Sequence, residues 1–547
     1  MVLVYREADL DKYPQVKKQE SKHISLGDLH GNALKLIHIL VEEGVVDLNE
    51  TQYNSLRDIY DTEVNQLTEE RLTTFQTIIE QANINLDKAV TLIGDELADR
   101  GNNDYFTLLV LKKLHQSKVN LNILLSNHSA EFIRDYEKVK FTGFYKLGRG
   151  QGQSLAKMQF LIGKGLIIEG EVREIVEQCY IPKAKAISYT LSPEGDITLF
   201  SHAPIGLETV QGLATKFNIP YNDKTPKELI QTIDKINKKV EELFISKQLG
   251  VLIDAEGHPD PHSPIPPGTQ PLQRLVWNRV VGEELITETS TGIKVNFVHG
   301  HIGDGKILKF GQPLPSHQNL DTSWAKFPDV YKTGPNSLLG KDVKHFTRHS
   351  NDLTALELTD SIWKTIQLKV AKKQFDGLCI ELKEKTIQLI AKGTPTNPEF
   401  DANYVMAAKA AEQLHKEIND AEKIFFNKKL SKTSIDEFAG SIQNAARTAN
   451  KEFVNHRGLW HGGGNPLVSF IKGVLEIFDK IIFAIPNVIG ALAGKNTLSF
   501  FKATLTESTA KLNSFEQGFN ELLKEIEPDG IDDDLDKREE ESTRLNL

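Results

Sequence analysis

Two cysteines in 547 residues, Cys179 and Cys379, cannot form a disulfide framework; they suggest a reducing compartment or simple core use. The first residues, Met1-Val2-Leu3-Val4-Tyr5-Arg6-Glu7, lack a basic n-region and a long apolar h-region, so no classical signal peptide is evident. An excess of positive charge is also missing. A net charge of −10 and a pI near 5.9 exclude general nucleic-acid binding, which needs a basic footprint. No run is long and clean enough to span a bilayer simply. The most apolar stretch, Leu467 to Leu492, is interrupted by Lys472, Glu476, Asp479, Lys480 and Pro486. A hydrophobic content of 39% still suffices for real cores, and the length predicts two or three domains.

One pattern recurs: an apolar run, then a turn rich in Asp, Asn and His. Ile24-Ser25-Leu26 precedes Gly27-Asp28-Leu29-His30-Gly31-Asn32. Val90-Thr91-Leu92-Ile93 precedes Gly94-Asp95-Glu96-Leu97-Ala98-Asp99-Arg100-Gly101. Leu121 to Leu125 precedes Ser126-Asn127-His128, Ile197 to Phe200 precedes Ser201-His202-Ala203, and Val295 to Val298 precedes His299-Gly300-His301. Such runs read as buried strands. Open α/β sheets gather ligands at the carboxyl ends of their strands, so sites far apart in sequence can converge.

Oxygen and imidazole ligands without thiolate suit Mn, Fe or Zn. Asp28 and His30, two residues apart at a strand end, can grip one ion. Asp95 can bridge two ions, and Asn127, His202 and a histidine of the last cluster would complete the second. Two divalent ions about 3.5–4 Å apart activate a water and clamp an in-line phosphoryl displacement. Arg100, and Arg279 in Trp277-Asn278-Arg279, offer bidentate grips on phosphate. His128, paired with Asp99, can protonate the leaving oxygen.

These residues resemble the phosphoprotein-phosphatase (PPP) branch of the calcineurin-like metallophosphoesterases, whose motifs are GDxHG, GDxxDRG and GNHE, then a His after a strand, an Arg and a final GH. The resemblance covers about residues 20–330. It implies a calcineurin-like β-sandwich flanked by helices. By resemblance, Asp28 and His30 hold the first metal, Asp95 bridges, and Asn127, His202 and His301 hold the second. The Gly before His301 favours it over His299, which is left for a supporting role. Arg100 and Arg279, with Asn127, hold substrate phosphate, and the His128–Asp99 pair is the acid. The implied cofactors are two divalent ions, Mn first, with Fe or Zn as alternatives. The chain departs from the pattern twice. GNHE reads Ser126-Asn127-His128-Ser129, so the Glu that steadies the phosphate arginine is absent, with Glu131 two residues on. Ala203-Pro204 follows His202 where the family has Gly-Gly. Asp321-Thr322 matches an Asp-Thr found after the last strand in bacterial members.

The expected organisation is a metallophosphatase domain over 1–340, an all-α targeting or interaction domain over 341–527, and an acidic tail over 528–547. Within the first, Leu67 to Gln81 and Lys224 to Gln248 read as helices, and Pro259 to Pro271 as a turn-rich loop. Leu353 to Lys392, Asn403 to Lys428 and Thr433 to His456 carry helical periodicity. Gly148-Arg149-Gly150-Gln151-Gly152 does not complete a phosphate-binding loop and reads as a flexible one. His456 and His461, around Gly458 and Trp460, read as flanking a hinge. Leu467 to Leu492 reads as a buried helix pair or as a helix docking on a membrane or membrane-protein partner. The end, Asp532-Asp533-Asp534, Glu539-Glu540-Glu541 and Leu545-Asn546-Leu547, is similar to the export signal of Legionella Dot/Icm effectors. Together with the catalytic motifs it resembles the effector phosphatases of that group. That resemblance implies non-classical secretion into a host cell and a host-cytoplasmic or membrane-peripheral location.

The sequence therefore predicts a metal-dependent phosphatase acting on phosphoserine and phosphothreonine in protein substrates. Phosphotyrosine hydrolysis on the same fold, diadenosine-polyphosphate hydrolysis and a phosphoprotein-binding scaffold with weak catalysis are the competing readings.

Overall fold

The short apolar runs become short buried strands. The computed structural model describes residues 2–17, 20–138, 151–257, 265–266, 268–279, 285–302, 308–309, 312–313, 316–321, 342–398, 400–428 and 432–455. It divides into two compact units, Met1–Trp363 and Lys364–Leu547.

The first unit is mixed α/β. Its larger sheet contains β1 (Val2–Asp9), β2 (His23–Leu26), β3 (Ala89–Leu92), β4 (Leu121–Leu124) and β5 (Ala184–Lys185). A second sheet contains β6 (Ser188–Leu191), β7 (Ile197–Phe200), β8 (Val295–His299) and β9 (His317–Asn319). The last strand, β10 (Asp342–Ser350), returns to the larger sheet, whose order is β1-β10-β2-β3-β4-β5. The order of the smaller sheet is β9-β8-β7-β6. Strands β2 to β5 run parallel, as do β7, β8 and β9. Every residue of β2, β3 and β7 is buried, as parallel strands covered on both faces require. Ile93, just after β3, and Leu124 of β4 meet Phe200 of β7, Val298 of β8 and Leu320, just after β9, in a single core cluster.

Helices follow the turns rich in Asp, Asn and His directly. Asn32 caps α1 (Ala33–Glu42) by accepting from Lys35 N at 2.9 Å. Asn103 caps α2 (Asp104–Gln116), accepting from Tyr105 N at 3.0 Å. Ser126 caps α3 (Asn127–Glu137). Much of the Asp, Asn and Ser in these turns is thus helix-start chemistry. The expected inserted helices are present as Glu69–Gln81 and as α5 (Pro226–Ile245); α4 (Gln153–Gly163) lies between α3 and α5. The expected turn-rich stretch closes on a helix, Pro271–Trp277, with Pro at its first turn.

The phosphatase unit runs past the expected limit at residue 340. β10 lies inside the sheet, antiparallel to β1 over Val2↔His349 to Asp9↔Asp342 and to β2 over Thr347↔Leu26 to Ser350↔His23. The helix expected from Leu353 begins only at Asp360. Leu353 instead bridges to Leu191, and a 3-10 turn, Ala355–Glu357, follows under a Thr354–Glu357 capping box. Beyond it lie α6 (Asp360–Gly393), α7 (Val405–Asn427) and α8 (Lys432–Asn455). The second unit packs on Phe425, whose ring stacks 4.6 Å from Phe438, with Leu414 and Ile418 buried alongside. Among the described residues no helix is long and apolar enough to cross a membrane. Gly148 to Gly150, His456, His461, Leu467 to Leu492 and the acidic tail lie outside the described residues.

Burial of His23 sets a pH dependence. The ring is 1% exposed, its Nε2 sits 2.9 Å from Thr91 Oγ1, and burial, then Arg348 and His349, push its pKa down to about 3. Unfolding restores an ordinary value near 6.5. The unfolded chain therefore takes up a proton that the folded chain refuses, and stability falls as pH drops from about 6.5 toward 3. His23→Gln is expected to make this decline shallower, by on the order of 2 kcal/mol at pH 5. Denaturant melts at pH 7 and pH 5 check it; equal slopes for the two proteins would refute it.

Candidate active site

The turns after β2, β3, β4, β7, β8 and β9 converge at one end of the sheets. Asp28, His30, Asp95, Asp99, Asn127, His202, His301 and Asp321 are each at most 3% exposed there. Three overlapping groups hold ligand atoms within 4.8 Å of one another: Asp28 with Asp95 and His202, Asp28 with His30 and Asp321, and His30 with Asp95 and Asp99.

The backbone is bent to make this possible. His30, Asp95, Ala98 and His301 all have positive φ, between 54° and 72°. Non-glycine residues rarely adopt that conformation, and clusters of them mark functional turns. Close approach needs glycine as well. A Cβ on Gly300 would overlap the Asp28 carboxylate, and one on Gly94, at φ 137°, would strike His202.

The donors face one another as acceptors. His202 Nδ1 lies 3.2 Å from Ile93 O, a bond that puts the proton on Nδ1 and the lone pair on Nε2. That Nε2 stands 2.8 Å from Asn127 Oδ1, 3.1 Å from His301 Nδ1 and 3.4 Å from Asp95 Oδ1. Asp95 Oδ1 is buried and accepts no hydrogen bond. Burial pushes His202 down to about 4 although Asp95 and Asp321 pull the other way, so the ring is neutral at physiological pH. Burial raises the Asp95 carboxyl, but His202 and His128 outweigh it and hold the group below the usual carboxylate range. Carboxylate, amide and imidazole atoms gathered this closely fit a divalent cation.

Residues 89–326 match the family of WipA-like phosphatase domains. The solved phosphatase domain of the Legionella effector WipB is 34% identical over 99% of its own length and 51% of this chain, with a TM-score of 0.46. This chain belongs to the WipA-like phosphatases. The identity and the family match decide that membership. No curated protein matches the chain.

Within this phosphatase domain, Asp99 is the hub. Its Oδ2 lies 3.1 Å from His30 Nδ1, and its Oδ1 lies 2.6 Å from Arg100 and 3.4 Å from His128 Nε2. Burial raises its carboxyl, yet His128, His30 and Arg100 together hold it far below the ordinary range. A carboxylate on Nδ1 turns the other nitrogen of His30 toward the ligand cluster, the usual support of a metal-binding histidine. Nε2 of His30 is 3.5 Å from Asp321 Oδ1. The second ring nitrogen of His128 faces Ala98 O at 3.2 Å.

Arg279 reaches the rim. The residue is exposed, and its guanidinium stands 5.9 Å over Trp277, whose ring meets His301 edge-on at 5.7 Å. Partial burial of the charged group lowers its pKa against the pull of Asp95, Asp321 and Asp28. His299 is outside the three groups; its Nδ1 donates to Gly300 O at 2.9 Å. Glu131 turns to Arg134. Ser129 is spent on the α3 cap, exchanging hydrogen bonds of 2.7 and 2.9 Å with Ser126.

Sequence reading did not make Asp321 a ligand candidate. Its strand, His317-Gln318-Asn319, has no apolar run to announce it. It also missed Asp104, which accepts from Ala98 N at 2.9 Å and fastens the turn that carries Asp99.

Proposed function

We propose that this domain is a dinuclear-metal phosphoprotein phosphatase of the calcineurin-like sandwich type, acting on phosphoserine and phosphothreonine after delivery into a host cell. The closely gathered atoms of His202, Asn127, His301 and Asp95 carry this reading. Asp28, His30, Asp95 and Asp321 would hold one ion, and Asp95, Asn127, His202 and His301 the other. Mn suits the mixed oxygen and imidazole set, with Fe or Zn the competitors. When bound, the pair supplies Lewis acidity and an acidified water as nucleophile.

The residues do the rest. Arg100 and Arg279, with Asn127, bind the non-bridging phosphate oxygens and keep phosphorus in line with the attacking water. As the new P–O bond forms, the bond to the serine or threonine oxygen breaks. His128 gives that oxygen its proton, and Asp99 holds the imidazole in place. Burial of the ligand cluster excludes bulk water and strengthens each of these contacts.

Arg279→Ala is expected to lower kcat/KM by about 100-fold on phosphopeptides, because one charged grip on the transferring group is lost. Arg279 is exposed, so folding should be unaffected. A panel of peptides differing only in phosphoserine, phosphothreonine or phosphotyrosine, assayed with Mn and with excess chelator, tests the whole reading. Full activity in chelator would end the metal mechanism. A strong phosphotyrosine bias would replace the Ser/Thr assignment, and cleavage of diadenosine polyphosphates alone would replace the protein substrate. Wild-type turnover near background on every substrate would favour the phosphoprotein-binding scaffold. Ser129→Glu is not a clean test of that scaffold, since it would break the α3 cap and bury a new charge.

A further inference from the structure

A buried tyrosine outside the three ligand groups reaches the turn that carries Asp95. Val176–Tyr180 is a π-helical turn. Such turns are rare and recur at functional sites. This one delivers Tyr180, fully buried, between Phe132 and Phe244, with ring centroids 6.2 and 6.0 Å away. Its hydroxyl donates to Glu96 Oε1 at 2.5 Å. Glu96 follows Asp95 directly, and Phe132 lies on α3, the helix that begins at Asn127. One tyrosine therefore joins the turn after β3, through its hydroxyl, to α3, through its ring.

Both partners need such a support. Asp95 sits at φ 54°, a conformation its own backbone does not favour. Asn127 Oδ1 and Asp95 Oδ1 must converge on the same region beside His202 Nε2, at 2.8 and 3.4 Å. Ser129 occupies the position where the PPP pattern has glutamate, and it is too short to reach a phosphate arginine.

We propose that Tyr180 is a positioning residue that locks the Asp95 turn to the Asn127 helix through its hydroxyl on Glu96 and its ring against Phe132. The proposal rests on the dinuclear-metal reading above. The brace acts on where the ligands stand, so its loss weakens metal binding and leaves the chemistry of the loaded site largely intact.

The test uses the full chain carrying Tyr180→Phe, which removes one oxygen and no carbon, together with Glu96→Gln and Glu96→Leu. Mn binding is measured by isothermal titration and by the metal-induced rise in Tm, and kcat at saturating Mn. Tyr180→Phe is expected to raise the Mn dissociation constant about tenfold, with kcat at saturating Mn within about threefold of wild type. Glu96→Gln keeps the hydrogen bond and should stay near wild type, whereas Glu96→Leu should follow Tyr180→Phe. Unchanged Mn affinity in a cooperatively melting Tyr180→Phe protein overturns the brace, as does equal weakening by the two Glu96 changes. A wild-type chain that binds no Mn overturns the metal reading and the brace with it.

Discussion

Asp95→Asn in the full chain is expected to lower kcat/KM by about three orders of magnitude and to erase the gain in Tm on adding Mn. On the proposed reading Asp95 is the one residue shared by both ions, and an amide keeps its shape while removing its charge. The metal-free protein should lose stability as well. Asp95 is buried, and His202 and His128 outweigh burial and Asp99 in holding it below the usual carboxylate range. A carboxyl held down in this way contributes stability while it is charged, and the amide forfeits that contribution. The metal-free Tm of Asp95→Asn should therefore fall modestly below that of wild type, while activity collapses. Calorimetry with and without Mn, beside a phosphopeptide assay, separates the two effects. Retained Mn stabilisation in the variant would remove Asp95 from the ligand set.

The parts of this site that were legible in the sequence share a cause. A parallel strand covered on both faces must be an apolar run, and the turn that follows must start a helix or hold a ligand. Ile24-Ser25-Leu26 before Asp28 and Ile197 to Phe200 before His202 satisfy both demands, so strand and site announce each other. Asp321 follows a strand of His, Gln and Asn and is silent. Tyr180 acts from a π-turn, which has no sequence period of its own.

The same reasoning explains why β10 was missed. Its sequence, Asp342-Val343-Lys344-His345-Phe346-Thr347-Arg348-His349-Ser350, has two apolar residues in nine and no alternation to mark a strand. The strand is buried through charge. His345 and His349 lie 3.3 Å from Glu42 and Glu43, which Arg6 of β1 holds at 2.9 and 2.7 Å. Arg348, with no exposed surface, pairs with Asp352 at 3.2 Å. Ion pairs of this kind specify one register but leave no hydrophobic pattern.

That placement fixes where the chain can be cut. A truncation after residue 340, which the sequence pattern recommended, removes the strand that joins β1 to β2. It strips eight register pairs from β1 and four from β2. It also leaves Glu42 and Glu43 buried without His345 and His349. Losing a partner from a buried ionic cluster costs about 3–5 kcal/mol, and a native domain has only about 5–15 kcal/mol in all. The 1–340 fragment is therefore expected to lack a cooperative thermal transition and to have less than about a hundredth of full-length activity, since an unfolded fraction does no chemistry. A fragment ending at Trp363 retains β10, Asp352 and the Leu353–Leu191 bridge, and should melt cooperatively. On small phosphate esters it should keep full-length kcat/KM within about threefold, because every proposed ligand precedes β10. Circular dichroism melts and an Mn-dependent assay on both fragments decide the point. A folded, active 1–340 fragment would mean that β10 is dispensable to the sheet. A folded but inactive 1–363 fragment would assign residues of the second unit to catalysis.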